Sequence, residues 1–196
     1  MIKYIAIDLG GVYFKWSSAS VFRKLSRLTE TNIEVVRKAW VSRRGDFETG
    51  ILTVEDYWKN FCEVIGKAVP YKELRAIEID ENMPNARLIH FLDILRQRYK
   101  VCVITNISDT LDTLDRKFDF VKKFEFVLDS YHAGVQKPDK RFWDILLKMT
   151  GCSPSEIVVI DDSETVIRAA RDRGFISLQY RGMASLKRDL KDLKLI

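Results

Sequence analysis

The sequence is poor in the residues that build sulfur- and imidazole-based sites. Its three cysteines, Cys62, Cys102 and Cys152, are odd in number and widely spaced, with no pairing typical of zinc ligands. The two histidines, His90 and His132, are too few and too far apart for a histidine-based metal site or triad without a third partner. We therefore expect reduced core or surface thiols and no histidine-centred chemistry.

Long apolar runs are also missing. No charge-free apolar segment reaches the ~20 residues needed to span a bilayer, and Lys3 and Asp8 interrupt the first apolar stretch, so no secretory leader is visible. The 196 residues, 46% hydrophobic and 31% charged, suit one sizeable domain or one domain with a modest insertion. We expect a soluble, cytoplasmic protein without a membrane partner.

Charge of one sign is not concentrated anywhere in the chain. The net charge of +5 comes from 33 basic and 28 acidic residues that are mixed along the sequence. Such a surface attracts anionic ligands mildly and predicts no nucleic-acid partner. A dinucleotide fingerprint is absent as well, because Gly10 and Gly11 are followed by no third glycine at the required spacing. The sequence leaves the oligomeric state open.

Two apolar runs that end in acidic residues are the most informative feature present. Residues 5–7 lead into Asp8, and residues 157–160 lead into Asp161 and Asp162. Runs without alternation are typical of parallel strands buried on both faces, and such sheets bind ligands at the carboxyl ends of their strands. A turn at Asp8 and a helix cap at Asp162 would explain either run alone. Together, however, the clustered anions predict a cation, and a hard divalent ion with oxygen ligands fits best.

The rest of the chain divides into two patterns. After residue 84, strand-like and helix-like segments alternate as in βαβ units, with these candidates: strands 101–105, 124–128, 157–160 and 176–179, and helices 86–99 and 139–150, the second with Phe142, Ile145, Leu146 and Met149 on one face. A one-turn helical start at 153–156 and a helix carrying Val166, Ile167 and Ala170 flank the fourth strand of the chain.

From about residue 17 to residue 79 only helical periods occur. One segment has Val21, Phe22, Leu25 and Leu28 at helical spacing, and another helix is predicted to begin at Thr53. The pattern predicts an α/β fold: a parallel sheet flanked by helices, formed by residues 1–16 and 84–196, with a helical cap at 17–83 inserted after the first strand. Such a cap would lie over the carboxyl edge of the sheet.

Four segments then occur in an order that resembles the haloacid dehalogenase-like hydrolase superfamily, over essentially the whole chain. They are residues 5–12 around Asp8, residues 103–106 ending in Thr105 and Asn106, Lys137-Pro138, and residues 157–162. The resemblance implies a Rossmann-like core and a Mg²⁺-dependent phosphatase acting on a small phosphorylated metabolite. Leu9-Gly10-Gly11-Val12 is similar to a helical-cap branch that includes sugar-phosphate phosphatases.

The resemblance also implies a role for each motif residue. Asp8 would be the nucleophile that forms an aspartyl-phosphate, while Thr105 and Lys137 would act with it on the phosphoryl group. Gly10, Gly11 and Asn106 would join them in substrate binding. Magnesium would be held by these groups: Asp8, Asp162, the backbone carbonyl of Gly10, and Asp161 as a ligand or supporting group.

Gly10 is a departure from the family pattern, because most phosphatases of this kind have an aspartate there as general acid and base. Three explanations stay open: a leaving group of low pKa, a substitute from the cap or a water molecule, or a catalytically idle binding or regulatory protein. Dehalogenation is disfavoured, because enzymes with that activity generally lack an acidic pair such as Asp161-Asp162. Relatives often carry asparagine at the position of Val166. Valine there weakens the support that we expect a side chain to give to the loop that carries Asp161 and Asp162.

Substrate specificity is expected in the cap and the segment leading into it. Lys15, Trp16, Trp40, Arg43 and Arg44 offer cationic and aromatic side chains there. Arg43 and Arg44 could contact a second anionic group of a substrate, although a solvated helix end before Gly45 is the simpler interpretation. The aromatic residues could equally be core residues, and the sequence identifies no substrate.

Overall fold

The computed structural model describes all 196 residues and contains a five-stranded parallel sheet. Its strands are β1 (Tyr4–Ile7), β4 (Lys100–Thr105), β5 (Val127–Asp129), β6 (Ile157–Asp161) and β7 (Ile176–Gln179). In space they follow the order β5-β4-β1-β6-β7. The apolar runs without alternation form the central strands. Helices cover both faces of the sheet there, so side chains on both faces of these strands are buried. The predicted α/β fold is confirmed.

The register of the central strands brings the chemistry-bearing residues to one edge. Ile7 of β1 pairs with Val103 on one side and with Ile160 on the other. Asp8 and Asp161 each follow these paired residues by one position. The carboxyl ends of β1, β4 and β6 therefore lie side by side, as parallel strands require.

Helices pack on both faces of the sheet. They are α6 (Ala86–Leu95), α7 (Thr110–Phe118), α8 (Ser130–Ala133), α9 (Lys140–Thr150), α10 (Glu164–Asp172) and α11 (Met183–Asp192). Alternate residues of β1 enter different cores: Ile5 and Ile7 pack with α6, α7 and α11, whereas Tyr4 and Ala6 pack with α9 and α10. This alternation follows from the two-residue period of a strand.

Five helices separate β1 from β4 in the chain before α6. The segment comprises β2 (Phe14–Lys15), α1 (Ser18–Thr29), α2 (Ile33–Val41), α3 (Arg44–Glu48), α4 (Val54–Ile65), α5 (Tyr71–Asp80) and β3 (Met83–Pro84). Because β2 and β3 pair antiparallel, the chain leaves and re-enters the core through one two-stranded ribbon. The predicted helical insertion is present, while the domain boundaries at residues 17 and 83 stay a prediction.

The inserted helices have a hydrophobic core of their own. Twelve buried residues form it, including Trp40, Tyr57, Trp58 and Phe61. Trp40 and Trp58 meet nearly edge to face at 5.9 Å between ring centroids, an arrangement that aromatic pairs favour. The predicted start of α4 is confirmed, since the Thr53 hydroxyl accepts a hydrogen bond from the Asp56 N–H at 3.1 Å.

The cap is seated on the carboxyl edge of the sheet. The Ser130 hydroxyl, which follows β5, donates to the Glu48 carbonyl oxygen at the end of α3 at 2.6 Å. Arg75 of α5 pairs with Asp109, in the loop after β4, at 2.8 Å. A side chain at Gly50 would contact the Tyr131 backbone oxygen at 3.1 Å. The cap therefore contacts the loops after β4 and β5, at the same edge of the sheet as the acidic residues.

Several local predictions are wrong. Residues 121–123 form a single 3₁₀ turn and β5 begins at Val127, although the Glu125 N–H already donates to the Val101 carbonyl of β4 at 2.9 Å. Phe124 itself packs against the rings of Tyr13 and Phe120. Leu28 and Met149 are 40% and 45% exposed. Each lies in the last turn of its helix, at the margin of the buried stripe.

Two further observations concern helix length. The helix predicted at 86–99 ends at Leu95, and the residues after it turn back into β4. No helix of the structure combines the length and the apolar character needed to cross a membrane.

Candidate active site

Asp8 stands directly after β1 and is only 8% exposed. Its N–H donates to the Ile160 carbonyl at 2.9 Å, which extends the pairing with β6 by one residue. The chain then turns sharply, since the Phe14 N–H donates back to the Leu9 carbonyl at 2.8 Å. The carboxylate of Asp8 is therefore held at the edge of the sheet by a fixed backbone.

Lys137 lies between two of the acidic side chains. Its ammonium donates three hydrogen bonds: to Asp8 Oδ1 at 2.8 Å, to Asp161 Oδ2 at 2.6 Å, and to the Ile104 carbonyl at 2.9 Å. These partners use all three of its N–H groups. Because Lys137 is 4% exposed, its charge is fixed beside both carboxylates rather than shared with solvent.

Asn106 positions Lys137 rather than reaching outward with its side chain. Its Oδ1 accepts from the Lys137 N–H and its Nδ2 donates to the Lys137 carbonyl, both at 2.8 Å. This reciprocal pair locks the loop after β4 to the segment carrying the lysine. Because the side chain of Asn106 is bonded to Lys137, only the backbone amide of Asn106 could bind substrate. Its role in substrate binding stays a prediction.

The acidic pair at the end of β6, with Asp161 as the last residue of the strand and Asp162 after it, completes the cluster. Asp161 Oδ1 accepts from the Ser163 N–H at 2.9 Å, so the carboxylate is bonded on both oxygens. Asp162 is more exposed, and one carboxylate oxygen from each of Asp8, Asp161 and Asp162 lies within 4.8 Å of the others. The structure thus brings together the four charged residues that the sequence selected. They line an open cleft of about 260 Å³.

The two adjacent glycines of the first motif have different constraints. Gly11 has φ +75°, and a Cβ there would lie 2.2 Å from Asp162 Oδ2, so a side chain would displace this carboxylate. A Cβ at Gly10 would meet nothing closer than Asp8 Oδ2 at 3.9 Å. The backbone and Asp162 therefore require glycine at position 11, whereas position 10 has room for a Cβ atom.

The electrostatics of the cluster are those of an excess of negative charge. Burial raises the pKa of Asp8 to about 7, with the charges of Asp161 and Asp162 adding to the effect and Lys137 opposing it. Burial and the neighbouring Asp161 also raise the pKa of Asp162. Burial would lower the pKa of Lys137, but Asp8 and Asp161 outweigh it and the net shift is upward. One cation thus leaves the three acids incompletely compensated.

A second, smaller cavity joins the core to the cap. It has a volume of about 120 Å³ and is lined by Gly10, Thr105 and Asn106 of the core and by Trp16, Arg44, Glu48, Glu78 and Asn82, among others. Thr105 is 2% exposed and ends β4, which is where the sequence placed it. A wider opening of about 670 Å³ lies beside Gly11, with Lys15 and Trp16 on its wall.

Arg44 differs from the simpler interpretation of the sequence, a solvated helix end. It packs over the Trp40 ring at 4.4 Å and pairs with Glu48 at 2.7 Å and Glu78 at 2.8 Å. Burial would lower the pKa of Arg44, but Glu78 and Glu48 raise it well above its usual value. The helix-end interpretation does hold for Arg43, which is exposed and paired with Asp46.

The sequence reasoning missed Glu48, Glu78 and Asn82. Glu78 carried a usable signal, since it lies four residues after the buried Leu74 on the same face of α5. A charged residue on an apolar helical stripe indicates a buried partner, which here is Arg44. No comparable signal marks Glu48 or Asn82. Trp40, predicted as a possible specificity residue, is a buried member of the cap core.

Comparison with known proteins identifies the class to which this fold and site belong. The family model described as haloacid dehalogenase-like hydrolase matches residues 2–174. The chain therefore belongs to the haloacid dehalogenase-like hydrolases. A solved structure of a family enzyme from Bacteroides thetaiotaomicron, in complex with magnesium and inorganic phosphate, has the same fold, with TM-score 0.81 over 92% of this chain and 95% of that one at 24% identity.

Curated relatives include proteins named as phosphatases. A D-ribitol-5-phosphate phosphatase of Bacteroides thetaiotaomicron is 22% identical over 97% of both chains. A sesquiterpene phosphatase of Aspergillus oryzae is 26% identical over 97% of this chain and 96% of its own length. Other relatives are much longer: the chain spans 37% of drimenol cyclase drtB of Aspergillus calidoustus, at 26% identity over 98% of this chain.

Proposed function

We propose that the chain is a Mg²⁺-dependent phosphomonoesterase that acts on a small phosphorylated metabolite through an aspartyl-phosphate on Asp8. The observation that carries the proposal is the buried cluster at the carboxyl edge of the sheet, where Lys137 bridges Asp8 and Asp161 and Asp162 lies alongside. A nucleophilic carboxylate beside a fixed cation suits attack on a phosphoryl group. The phosphatase names of two full-length relatives support the same reaction class.

The donor set fits magnesium. Oxygen atoms of three carboxylates lie within 4.8 Å of one another, and Lys137, which pairs with Asp8 and Asp161, is the cation that faces them. Mg²⁺ prefers a few carboxylates together with water and phosphate oxygens. We assign Asp8, Asp162 and the Gly10 carbonyl as its ligands. Asp161, already bonded on both oxygens, supports Lys137 and the loop. When bound, the ion would reduce repulsion between the acids and the phosphate dianion.

The chain's own residues account for the remaining steps of the reaction. An Asp8 carboxylate oxygen attacks phosphorus, the bond from phosphorus to the leaving oxygen breaks, and water later hydrolyses the acyl phosphate to release inorganic phosphate. Lys137 stabilises negative charge on the phosphoryl oxygens as they pass through the transition state. The Thr105 hydroxyl and backbone amides of the loops at Gly10, Gly11 and Asn106 bind the other oxygens.

Gly10 limits the substrates that react quickly. With no carboxylic acid at this position, the departing oxygen receives no proton from the usual group, so esters with leaving groups of low pKa are favoured. An anomeric sugar phosphate is such an ester, and a sugar phosphate is our proposed substrate type. General acid catalysis is typically worth ~10²–10⁴-fold, so this loss slows alkyl esters without abolishing turnover.

The test is phosphate release, with and without Mg²⁺, from aryl, anomeric and simple alkyl phosphates. We expect Mg²⁺-dependent turnover that falls steeply as the leaving group becomes more basic. Asp8→Asn should lower turnover by at least about 10⁴-fold, because the attacking oxygen is lost while the size of the side chain is kept. Release by Asp8→Asn at the wild-type rate would contradict the mechanism. No release from any ester would favour a binding or regulatory protein instead.

A further inference from the structure

Asn85, the residue between β3 and α6, is buried and bonds twice to the turn that follows β1. We call this turn, residues 8–14, the first loop. The Asn85 N–H donates to the Tyr13 carbonyl at 2.9 Å, and the side-chain Nδ2 donates to the Val12 carbonyl at 3.0 Å. One residue from a distant part of the chain therefore holds two consecutive carbonyls of the first loop.

The same side chain reaches a second loop through a tyrosine. Asn85 Nδ2 also donates to the Tyr180 hydroxyl oxygen at 2.9 Å, which uses both hydrogens of the amide nitrogen. Tyr180 directly follows β7, and its N–H donates to the Asp161 carbonyl at 2.8 Å. We call residues 161–163 the second loop. A continuous series of hydrogen bonds thus joins the first loop to the second.

The two loops are in direct contact, so their spacing leaves no room for adjustment. A Cβ atom at Gly11 of the first loop would lie 2.2 Å from Asp162 Oδ2 of the second. The end of β7 holds the second loop at another point, since Gln179 Nε2 donates to the Asp162 carbonyl at 3.0 Å. A small shift of either loop would therefore change the distance between their oxygen atoms.

The proposed Mg²⁺ ligands are divided between these loops. Asp8 and the Gly10 carbonyl belong to the first loop and Asp162 to the second. Mg²⁺ requires nearly octahedral geometry with oxygen atoms at about 2.0–2.1 Å, so its affinity depends on how accurately separate ligands are placed. Groups that hold ligands in position are worth a substantial part of a metal affinity.

On the basis of the proposed Mg²⁺ site, we infer that Asn85 and Tyr180 are positioning residues, whose mutual hydrogen bond fixes the spacing of the two loops that hold the ion. Their hydrogen bonds are to backbone carbonyls and to each other, so they act on the ion through the loops. The alternative is a purely structural role, because the Tyr180 ring packs against the core on one face of the sheet.

Tyr180→Phe separates these roles, because it removes the hydroxyl but keeps the ring and the backbone N–H. Calorimetric titration with Mg²⁺ alone, without substrate, should give a Kd about 3- to 10-fold higher than that of the wild-type protein. This is less than the 10- to 100-fold typical of groups bonded directly to a metal ligand. An unchanged Kd in folded Tyr180→Phe, checked by its Tm, would overturn the inference.

Tyr99→Phe is the matched control. Tyr99 is another half-buried tyrosine of the same core, and its hydroxyl donates to the Leu195 carbonyl at 3.1 Å. It precedes β4 and so lies at the opposite edge of the sheet from the two loops. This variant also loses one hydrogen bond but should keep the wild-type Kd for Mg²⁺. An equal loss of affinity in both variants would assign the effect to general stability and contradict the inference.

A double-mutant cycle tests whether the two residues act through their mutual hydrogen bond. Asn85→Ala should raise the Kd for Mg²⁺ by about tenfold. Adding Tyr180→Phe to Asn85→Ala should raise it little further, because the bond is already lost. Fully additive effects would show that the two side chains act separately, against the inference.

Amide hydrogen exchange in the metal-free protein distinguishes failure of this inference from failure of the proposed function. In Tyr180→Phe we expect faster exchange in the first and second loops, and in Tyr99→Phe the wild-type rates there. If the wild-type protein binds no Mg²⁺, the proposed metal site is wrong, while exchange still decides whether the pair fixes the loops. If Mg²⁺ binds but neither exchange nor Kd changes in Tyr180→Phe, the proposed function stands and the positioning assignment is wrong.

Discussion

The protein contains two buried ionic clusters, and they are satisfied to different degrees. In the proposed catalytic cluster at the sheet edge, Lys137 uses all three ammonium N–H groups and Asp161 both carboxylate oxygens. In the cap cluster, Arg44 Nη1 and Glu78 Oε2 are left without partners. A fully bonded cluster fixes the positions of its charged groups, whereas an incompletely bonded one carries a cost in free energy that the rest of the fold has to offset. The difference agrees with the proposal that the reacting carboxylate belongs to the cluster at the sheet edge.

The largest expected effect is the loss of stability on removing Lys137, the cation at the centre of the cluster at the sheet edge. In Lys137→Met, the buried Asp8 and Asp161 lose their shared partner, and breaking a buried ion pair typically costs about 3–5 kcal/mol of the free energy of unfolding. Glu78→Gln should cost less, since glutamine can keep a hydrogen bond to Arg44. Urea unfolding at pH 8 without Mg²⁺ measures both.

Lys148→Met is the control for this comparison, because Lys148 is an exposed residue of α9 and its removal should change stability little. If Lys137→Met were no less stable than Lys148→Met, the three hydrogen bonds of Lys137 would not hold the catalytic cluster together.

At Gly10 the proposed catalytic edge has room for an added Cβ atom, unlike at Gly11. Because a Cβ there meets nothing closer than 3.9 Å, Gly10→Asp should be accommodated and should supply the missing general acid. We expect kcat/KM for alkyl phosphates to rise by up to about 10²-fold, with little change for aryl phosphates. Gly10→Asn, of equal size but without an acidic proton, should give no increase. An equal gain in both variants would mean that the added side chain acts by packing.

Substitution of Gly11, unlike substitution of Gly10, should weaken both the fold and the binding of Mg²⁺. Alanine there would have to adopt φ near +75°, which costs about 1–2 kcal/mol, and its Cβ would push Asp162 from its place. Gly11→Ala should therefore lower both the free energy of unfolding and the Mg²⁺ affinity, while Gly10→Ala should change neither much. Urea unfolding and Mg²⁺ titration of the pair test this, and equal behaviour of the two variants would count against it.

The sequence predicted the core site better than the cap site for a physical reason. Asp8, Thr105, Asp161 and Asp162 end or directly follow buried strands, and a parallel sheet brings the ends of its strands together whatever the loops do. Lys137 precedes a proline, which marks it in the sequence. The cap cavity instead depends on how separate helices pack, which no local pattern encodes. Glu78 was detectable as a charge on an apolar stripe, but its pairing with Arg44 was not.

The same limit explains the errors in the fold. The sheet and the order of helices followed from apolar periods, which depend on neighbouring residues alone. The late start of β5 and the exposure of Met149 depend on tertiary neighbours. Phe124 packs against the rings of Tyr13 and Phe120, and the buried residues of α9 are Phe142, Trp143 and Leu146.

The smallest effect we expect is a pH dependence that belongs to the catalytic cluster. Asp8 has a pKa of about 7, raised mainly by burial. Its carboxyl group is therefore protonated in most molecules at pH 6 and ionised in most molecules at pH 8. Mg²⁺ requires the ionised form, and its affinity should be roughly tenfold weaker at pH 6 than at pH 8, with a proton released on binding at the lower pH. Calorimetry in buffers of different ionisation enthalpy measures both quantities.

Asp8→Asn should bind Mg²⁺ more weakly at pH 8 and lose most of the pH dependence, with the raised pKa of Asp162 accounting for what is left. A wild-type affinity that stays constant between the two pH values would show that Asp8 is already ionised in the folded protein, and that Lys137 compensates the acids more fully than the burial of the cluster implies.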